Sequence, residues 1–211
     1  MSGTADTIDV LHVDDNPEFT DLVATFLREE DERIRVETAT SAAQGLSLLA
    51  DTDVDCIVSD YDMPGTNGIE FLAAVRERHP RLPFILYTGK GSEEVASEAI
   101  SAGVTDYLQK GTGTEQYAIL ANRIGNAVAA RRSAGEADRW RRRLEETSAR
   151  LEVLFEDSPD MVNVHDASGA IIDPNAKLCE ATGYDHDELT GMKVWELDKT
   201  LTPEAAADIW D

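Results

Sequence analysis

The chain has 211 residues, 42% of them apolar, and a net charge of −23. That length suits one large or two small domains, at ~100–150 residues each. The acidic balance excludes a phosphate-binding basic face, so nucleic acid is not an expected partner; no run of ~18 apolar residues is present to span a membrane.

Only five of the 19 basic residues are lysines. Acid-rich, lysine-poor surfaces suit high salt, which screens charge repulsion, and a halophilic source is the expectation. The N-terminus lacks a basic stretch followed by an apolar run and does not read as a signal peptide. Cys56 and Cys179 lie far apart, outside any metal-ligand spacing, and read as small core residues in a reducing cytoplasm.

In chain order, short apolar runs at 8–13, 33–38, 55–59, 83–87 and 104–108 alternate with helical patterns at about 17–30, 41–50, 68–78, 92–102 and from 115 onward. Five βα units imply a parallel sheet covered by helices on both faces. Ligands of such sheets sit at the carboxyl ends of the strands, near the point where strand order reverses.

Residues 115–157 read as one long proline-free helix. From Trp140 its apolar-type positions continue through Leu144, Thr147, Leu151 and Leu154, at spacings of 4, 3, 4 and 3. That is a short coiled-coil seam and predicts a parallel homodimer through 140–154. The plainer alternative is a helix folded back on its own domain. Residues 158–211 then change character: strand-like pieces at 161–165 and 170–172 flank a turn at Asp166–Gly169, a helical stretch follows at 175–181, and a short helix begins near Asp185.

The chemistry concentrates at the strand ends. Asp14 and Asp15 follow the first strand, Asp60 the third, Thr88 closes the fourth, and Lys110 follows the fifth. Taken singly, such an Asp is commonly a cap or turn former, and Lys110 a solvated charge. Together, at one sheet edge, they predict a shared pocket. Clustered carboxylates repel unless a cation sits among them, and hard oxygen donors suit Mg²⁺. A lysine and a hydroxyl opposite the metal can hold phosphoryl oxygens, and a carboxylate can be the nucleophile that forms an acyl phosphate.

These segments (VDD at 13–15, SDYDMPGTNG at 59–68, YTG at 87–89 and DYLQK at 106–110) resemble a response-regulator receiver domain over residues 1–130. The resemblance implies a flavodoxin-like doubly wound sheet of order 2-1-3-4-5. It implies two-component phosphorelay signalling, with Asp60 accepting a phosphoryl group from a histidine kinase or phosphotransfer protein. It implies Mg²⁺ held by Asp15, Asp60 and the main-chain carbonyl of Asp62, with Asp14 assisting through water. Thr88 and Lys110 would bind the phosphoryl group, and Thr88 and Tyr107 would be the switch pair. One departure is Gly111, where the family usually has a proline, often after a cis bond. A non-proline cis bond costs ~2.5–4 kcal/mol, so a trans bond and a looser loop are expected.

Residues 131–157 read as a helical linker. Residues 158–211 resemble the N-terminal part of a PAS sensor domain, on Ser158-Pro159-Asp160, Asp166-x-x-Gly169, Asn175-Ala176 and Thr182-Gly183-Tyr184. The chain therefore reads as part of a longer cytoplasmic signalling protein, either a regulator or a fragment of a hybrid sensor histidine kinase. No kinase histidine motif or ATP-lid segment is found, so the chain itself is not expected to be an enzyme beyond promoting its own phosphorylation and dephosphorylation. An aspartyl-phosphate phosphatase of the haloacid dehalogenase type is the rival reading, because Asp60-Tyr61-Asp62 is a D-x-D. That family needs Thr or Val where this chain has Pro64.

Overall fold

The computed structural model describes residues 7–89 and 93–197. Residues 198–211 of the expected PAS segment lie outside the described residues. The chain divides into two compact units, the first through Ala137 and the second from Asp138.

The first unit holds five strands, β1 (Ile8–Val13), β2 (Ile34–Ala39), β3 (Cys56–Ser59), β4 (Phe84–Thr88) and β5 (Asp106–Gln109). They form one parallel sheet of order β2-β1-β3-β4-β5. The expected order is thus borne out, with its reversal between β1 and β3. Helices α1 (Pro17–Glu30), α2 (Ala42–Asp51), α3 (Gly68–Arg78) and α4 (Glu93–Ser101) alternate with the strands, and α5 (Glu115–Glu156) follows β5.

The inner strands β1, β3 and β4 are buried on both faces, which is why their sequences run apolar with little alternation, whereas edge strand β2 alternates buried and exposed residues and β5 is only partly buried. One core packs Val10, Val58 and Ile85 of the sheet against Leu27 of α1 and Leu120 and Ile124 of α5. The other packs Leu11, Ile57 and Leu86 against Phe71 and Leu72 of α3 and Ala99 of α4. Helix starts follow the local sequence. Asn16 caps α1 by accepting from Phe19 N–H, ahead of Pro17, whose missing N–H costs nothing there. Asn67 and Glu70 form a reciprocal capping box on α3.

Helix α5 is a single helix of 42 residues, as its unbroken pattern predicts. Its buried side chains end at Val128. Just beyond, Arg131 donates to the carbonyls of Val54 and Asp55, and Arg132 to the Thr7 carbonyl and the Asp55 carboxylate. These bonds hold the helix against the amino-terminal edge of the sheet. Farther along, Trp140 and Leu144 are 70% and 71% exposed, and Leu151 and Leu154 are exposed too.

In the second unit, β6 (Asn163–His165) and β7 (Ile171–Pro174) form an antiparallel hairpin around the turn the sequence predicts. Helices α6 (Ala176–Thr182), α7 (His186–Leu189) and α8 (Val194–Leu197) follow. Buried Asn175 heads α6. Its carboxamide accepts from Val162 N–H and donates to the carbonyls of Phe155 and Asp160. Cys56 is fully buried in β3, but Cys179 is only half-buried, which corrects the expectation of two core cysteines: α6 is short and covers few neighbours. No helix among the described residues is long and apolar enough to cross a membrane.

Candidate functional site

The sheet register sets the site. Val13 pairs with Ser59, so β1 and β3 finish level and the next residues, Asp14 and Asp60, stand side by side. Asp60 N–H donates to the Val13 carbonyl at 2.8 Å, and Asp14 N–H to the Ala39 carbonyl at 3.1 Å. Across the sheet, Lys110 N–H donates to the Thr88 carbonyl at 2.9 Å, bringing Lys110 to the same edge.

Asp14, Asp15, Asp60, Asp62, Thr88 and Lys110 line one cavity of about 410 Å³, together with Asn16, Phe19 and Gly89. Six of the seven residues singled out in the sequence thus converge. Tyr107 does not line the cavity; it is half-buried and packs against the core on the α3–α4 side of the sheet.

Asp14 and Asp60 are 1% and 5% exposed, whereas Asp15 and Asp62 are open to solvent. Lys110 Nζ bridges the buried pair, at 2.6 Å from Asp14 Oδ2 and 2.8 Å from Asp60 Oδ1. The other Asp60 oxygen accepts from Asp62 N–H at 2.9 Å. Four carboxylates and one ammonium leave a formal charge of −3 in the cavity. A phosphoryl dianion entering that field needs a compensating cation.

The donor set fits Mg²⁺. All the acidic groups offer hard oxygens, and Mg²⁺ is usually held by one or two carboxylates, with waters and phosphate oxygens completing its shell. Among the described residues no three carboxylate, His or Cys side chains gather tightly enough to clasp an ion by themselves. Water and phosphoryl oxygens would therefore complete the shell around the carboxylates of this cavity.

The loop from Asp60 to α3 is held close. A Cβ on Gly68 would stand 2.3 Å from the Asp60 carbonyl oxygen and 2.7 Å from Leu86 Cδ1, so only glycine fits. Gly65 turns the loop with φ +85°, a conformation that suits glycine. Met63 is buried beneath it.

Several site residues are not legible as such in the sequence. Lys110 Nζ lies 4.5 Å from the centre of the Phe19 ring and 5.9 Å from that of Tyr87. The two rings stack with centroids 6.1 Å apart. Below them His12 is fully buried, edge-on to Phe19, and neither ring nitrogen makes a well-formed hydrogen bond among the described residues. Burial, reinforced by the Lys110 charge, lowers its pKa from 6.5 to about 3, so the imidazole is neutral. The Lys110–Gly111 bond is trans as expected. The loop is not loose, however: the Gln116 side chain bonds it at Gly111 and Gly113. The only advance signal for Gln116 was an amide in the first turn of a helix after two glycines.

A family model described as the response regulator receiver domain matches residues 10–121. The nitrogen assimilation regulatory protein NtrX of Azorhizobium caulinodans is 31% identical over 130 residues, 61% of this chain and 28% of that protein. The bacterioopsin transcriptional activator of Halobacterium salinarum is 30% identical over 212 residues, 98% of this chain and 31% of its own length. The chain spans about a quarter of the length of the NtrX-type relatives it matches. Among solved structures, the chemotaxis protein CheY4 of Vibrio cholerae is 29% identical with a TM-score of 0.52, covering 56% of this chain and 98% of that one.

Proposed function

The chain belongs to the response-regulator receiver family, and from that premise we propose that Asp60 is its phosphoacceptor, working with Mg²⁺. The observation that carries this is the Lys110 ammonium bonded to both Asp14 and Asp60 inside a cavity of four carboxylates. An Asp60 oxygen attacks phosphorus, an O–P bond forms, and the bond to the donor's nitrogen or oxygen breaks. The product is an acyl phosphate. Lys110 and the Thr88 hydroxyl hold the transferred oxygens, and Asp14, Asp15 and Asp62 supply the negative field that retains the cation. Mg²⁺, when bound, neutralises phosphoryl charge. Family membership decides for this reading over a haloacid dehalogenase-type phosphatase.

The donor is a histidine kinase or phosphotransfer protein. The readout is a shift between two pre-existing conformations, with Thr88 moving toward the phosphoryl group and Tyr107 turning into the space it leaves. Half-burial of Tyr107 at the end of the core supports this, because a half-buried ring has room to change place.

The domain reading carries forward as a proposal: a receiver over 1–130, a linker over 131–157 and the start of a PAS-like sensor over 158–211. The hairpin β6–β7, the buried Asn175 and the whole-chain likeness to the Halobacterium activator support it. It requires further antiparallel strands beside this hairpin, and a structure of any longer form of the chain lacking them would count against it. The same likeness, with the acidic composition, supports a halophilic source and a transcriptional output. Stability rising with added KCl is the matching measurement.

Beryllofluoride, a phosphoryl mimic, tests the acceptor site. With Mg²⁺ it should form a stable complex with the wild-type chain and none with Asp60→Asn. Equal binding to both would contradict the assignment.

A further inference from the structure

Gln116 lies half-buried in the first turn of α5. Its Oε1 accepts from two donors on different elements, the Gly111 N–H at 2.8 Å and the Tyr87 hydroxyl of β4. Its Nε2 donates to the Gly113 carbonyl at 2.8 Å. One side chain thus ties the segment after Lys110 to the sheet and to α5. The segment needs such a tie, because its two glycines carry the largest backbone freedom of any residue.

The tie leads directly to the lysine. Gly111 is bonded to Lys110 through the chain. Tyr87, fixed by its hydroxyl, packs on Phe19, and the Lys110 ammonium lies over both rings. Burial raises the Tyr87 pKa above its ordinary value, so the hydroxyl keeps its proton and stays a donor. A proline after the lysine would stiffen this position covalently and has no N–H to give. Here a glycine offers an N–H, and Gln116 takes it.

We propose that Gln116 is the positioning residue for Lys110, clamping the Gly111 N–H and the Tyr87 hydroxyl on one oxygen so that the ammonium is held between Asp14 and Asp60. The inference rests on the reading of Asp60 as phosphoacceptor and deepens it. Gln116 touches no reacting atom; its effect passes through the lysine.

The test uses the full chain, acetyl phosphate and saturating Mg²⁺, with uptake followed by intact mass. Gln116→Met keeps the side-chain length and removes both polar atoms. It should slow phosphorylation about fivefold, the scale of one net hydrogen bond. Mg²⁺ affinity by calorimetry should stay at the wild-type value, which also reports that the variant is folded. Gln116→Glu, whose carboxylate still accepts both donors, should recover most of the rate. In a Lys110→Ala background, Gln116→Met should have no further effect. An unchanged rate for Gln116→Met, or an equal slowing without Lys110, would overturn the inference alone. Absence of uptake by the wild-type chain would overturn the acceptor reading and the inference with it.

Discussion

Lys110 approaches Asp14 more closely than it approaches Asp60, at 2.6 Å against 2.8 Å. The ammonium is shared between the acceptor and its neighbour, and it offsets the repulsion between two buried carboxylates. Removing it leaves both negative charges without their cation. Lys110→Ala should therefore lose about 2 kcal/mol of stability in EDTA, the cost of an unpaired charged group. Added Mg²⁺ should close most of that gap, because it supplies the missing positive charge. Urea denaturation with and without Mg²⁺ measures it, and an equal loss in both conditions would contradict the account.

Gly68 is expected to tolerate no side chain. A Cβ there would stand 2.3 Å from the Asp60 carbonyl oxygen, so backbone must shift. Gly68→Ala should cost about 1–3 kcal/mol by overpacking and slow phosphorylation by displacing the acceptor loop. Gly135 is the control. An added Cβ there meets nothing within 4 Å, and alanine should stabilise α5 by up to ~1 kcal/mol. Thermal unfolding of the two variants, shifting in opposite directions, is the expected result.

Acid should weaken the fold through His12. Its folded pKa of about 3 lies below the ordinary 6.5, because burial and Lys110 disfavour the imidazolium while the Thr20 backbone and the Asp60 charge only partly offset them. The unfolded chain then binds more protons between those values, so stability rises with pH there. The contribution is complete above about pH 6.5 and is lost as pH falls toward 3, at up to ~1.4 kcal/mol per pH unit. Denaturation of wild type and His12→Leu across pH 7.5 to 5 isolates this slope, which should be shallower in the variant. Parallel slopes would assign the acid sensitivity to other groups.

The exposed seam on α5 should mediate self-association. Trp140, Leu144, Leu151 and Leu154 recur at heptad spacing and are 61–71% exposed. Sedimentation should find a dimer for the wild-type chain and a monomer for Leu144→Glu with Leu151→Glu. A monomeric wild type would favour another role for this face.

Much of the fold was legible because βα alternation and two-sided burial leave few topologies, and a parallel order with one reversal places the ends of β1 and β3 together. Asp14, Asp60 and Lys110 follow from that order alone. What was not legible depends on side-chain direction across elements. Phe19 reads as an ordinary apolar position of α1, yet it carries the lysine on its ring. Tyr87 reads as core, yet its hydroxyl reaches Gln116. The loop after Lys110 was expected to be loose, because local sequence shows two glycines and not the amide that ties them. Helix α8 was missed, since four residues are too few for a period to register.

The central claim is that Asp60 takes the phosphoryl group. Incubation with acetyl phosphate and Mg²⁺, followed by intact mass, tests it most directly. The wild-type chain should gain one phosphoryl group and Asp60→Asn none. An unmodified wild type, or equal labelling of the variant, would contradict the account.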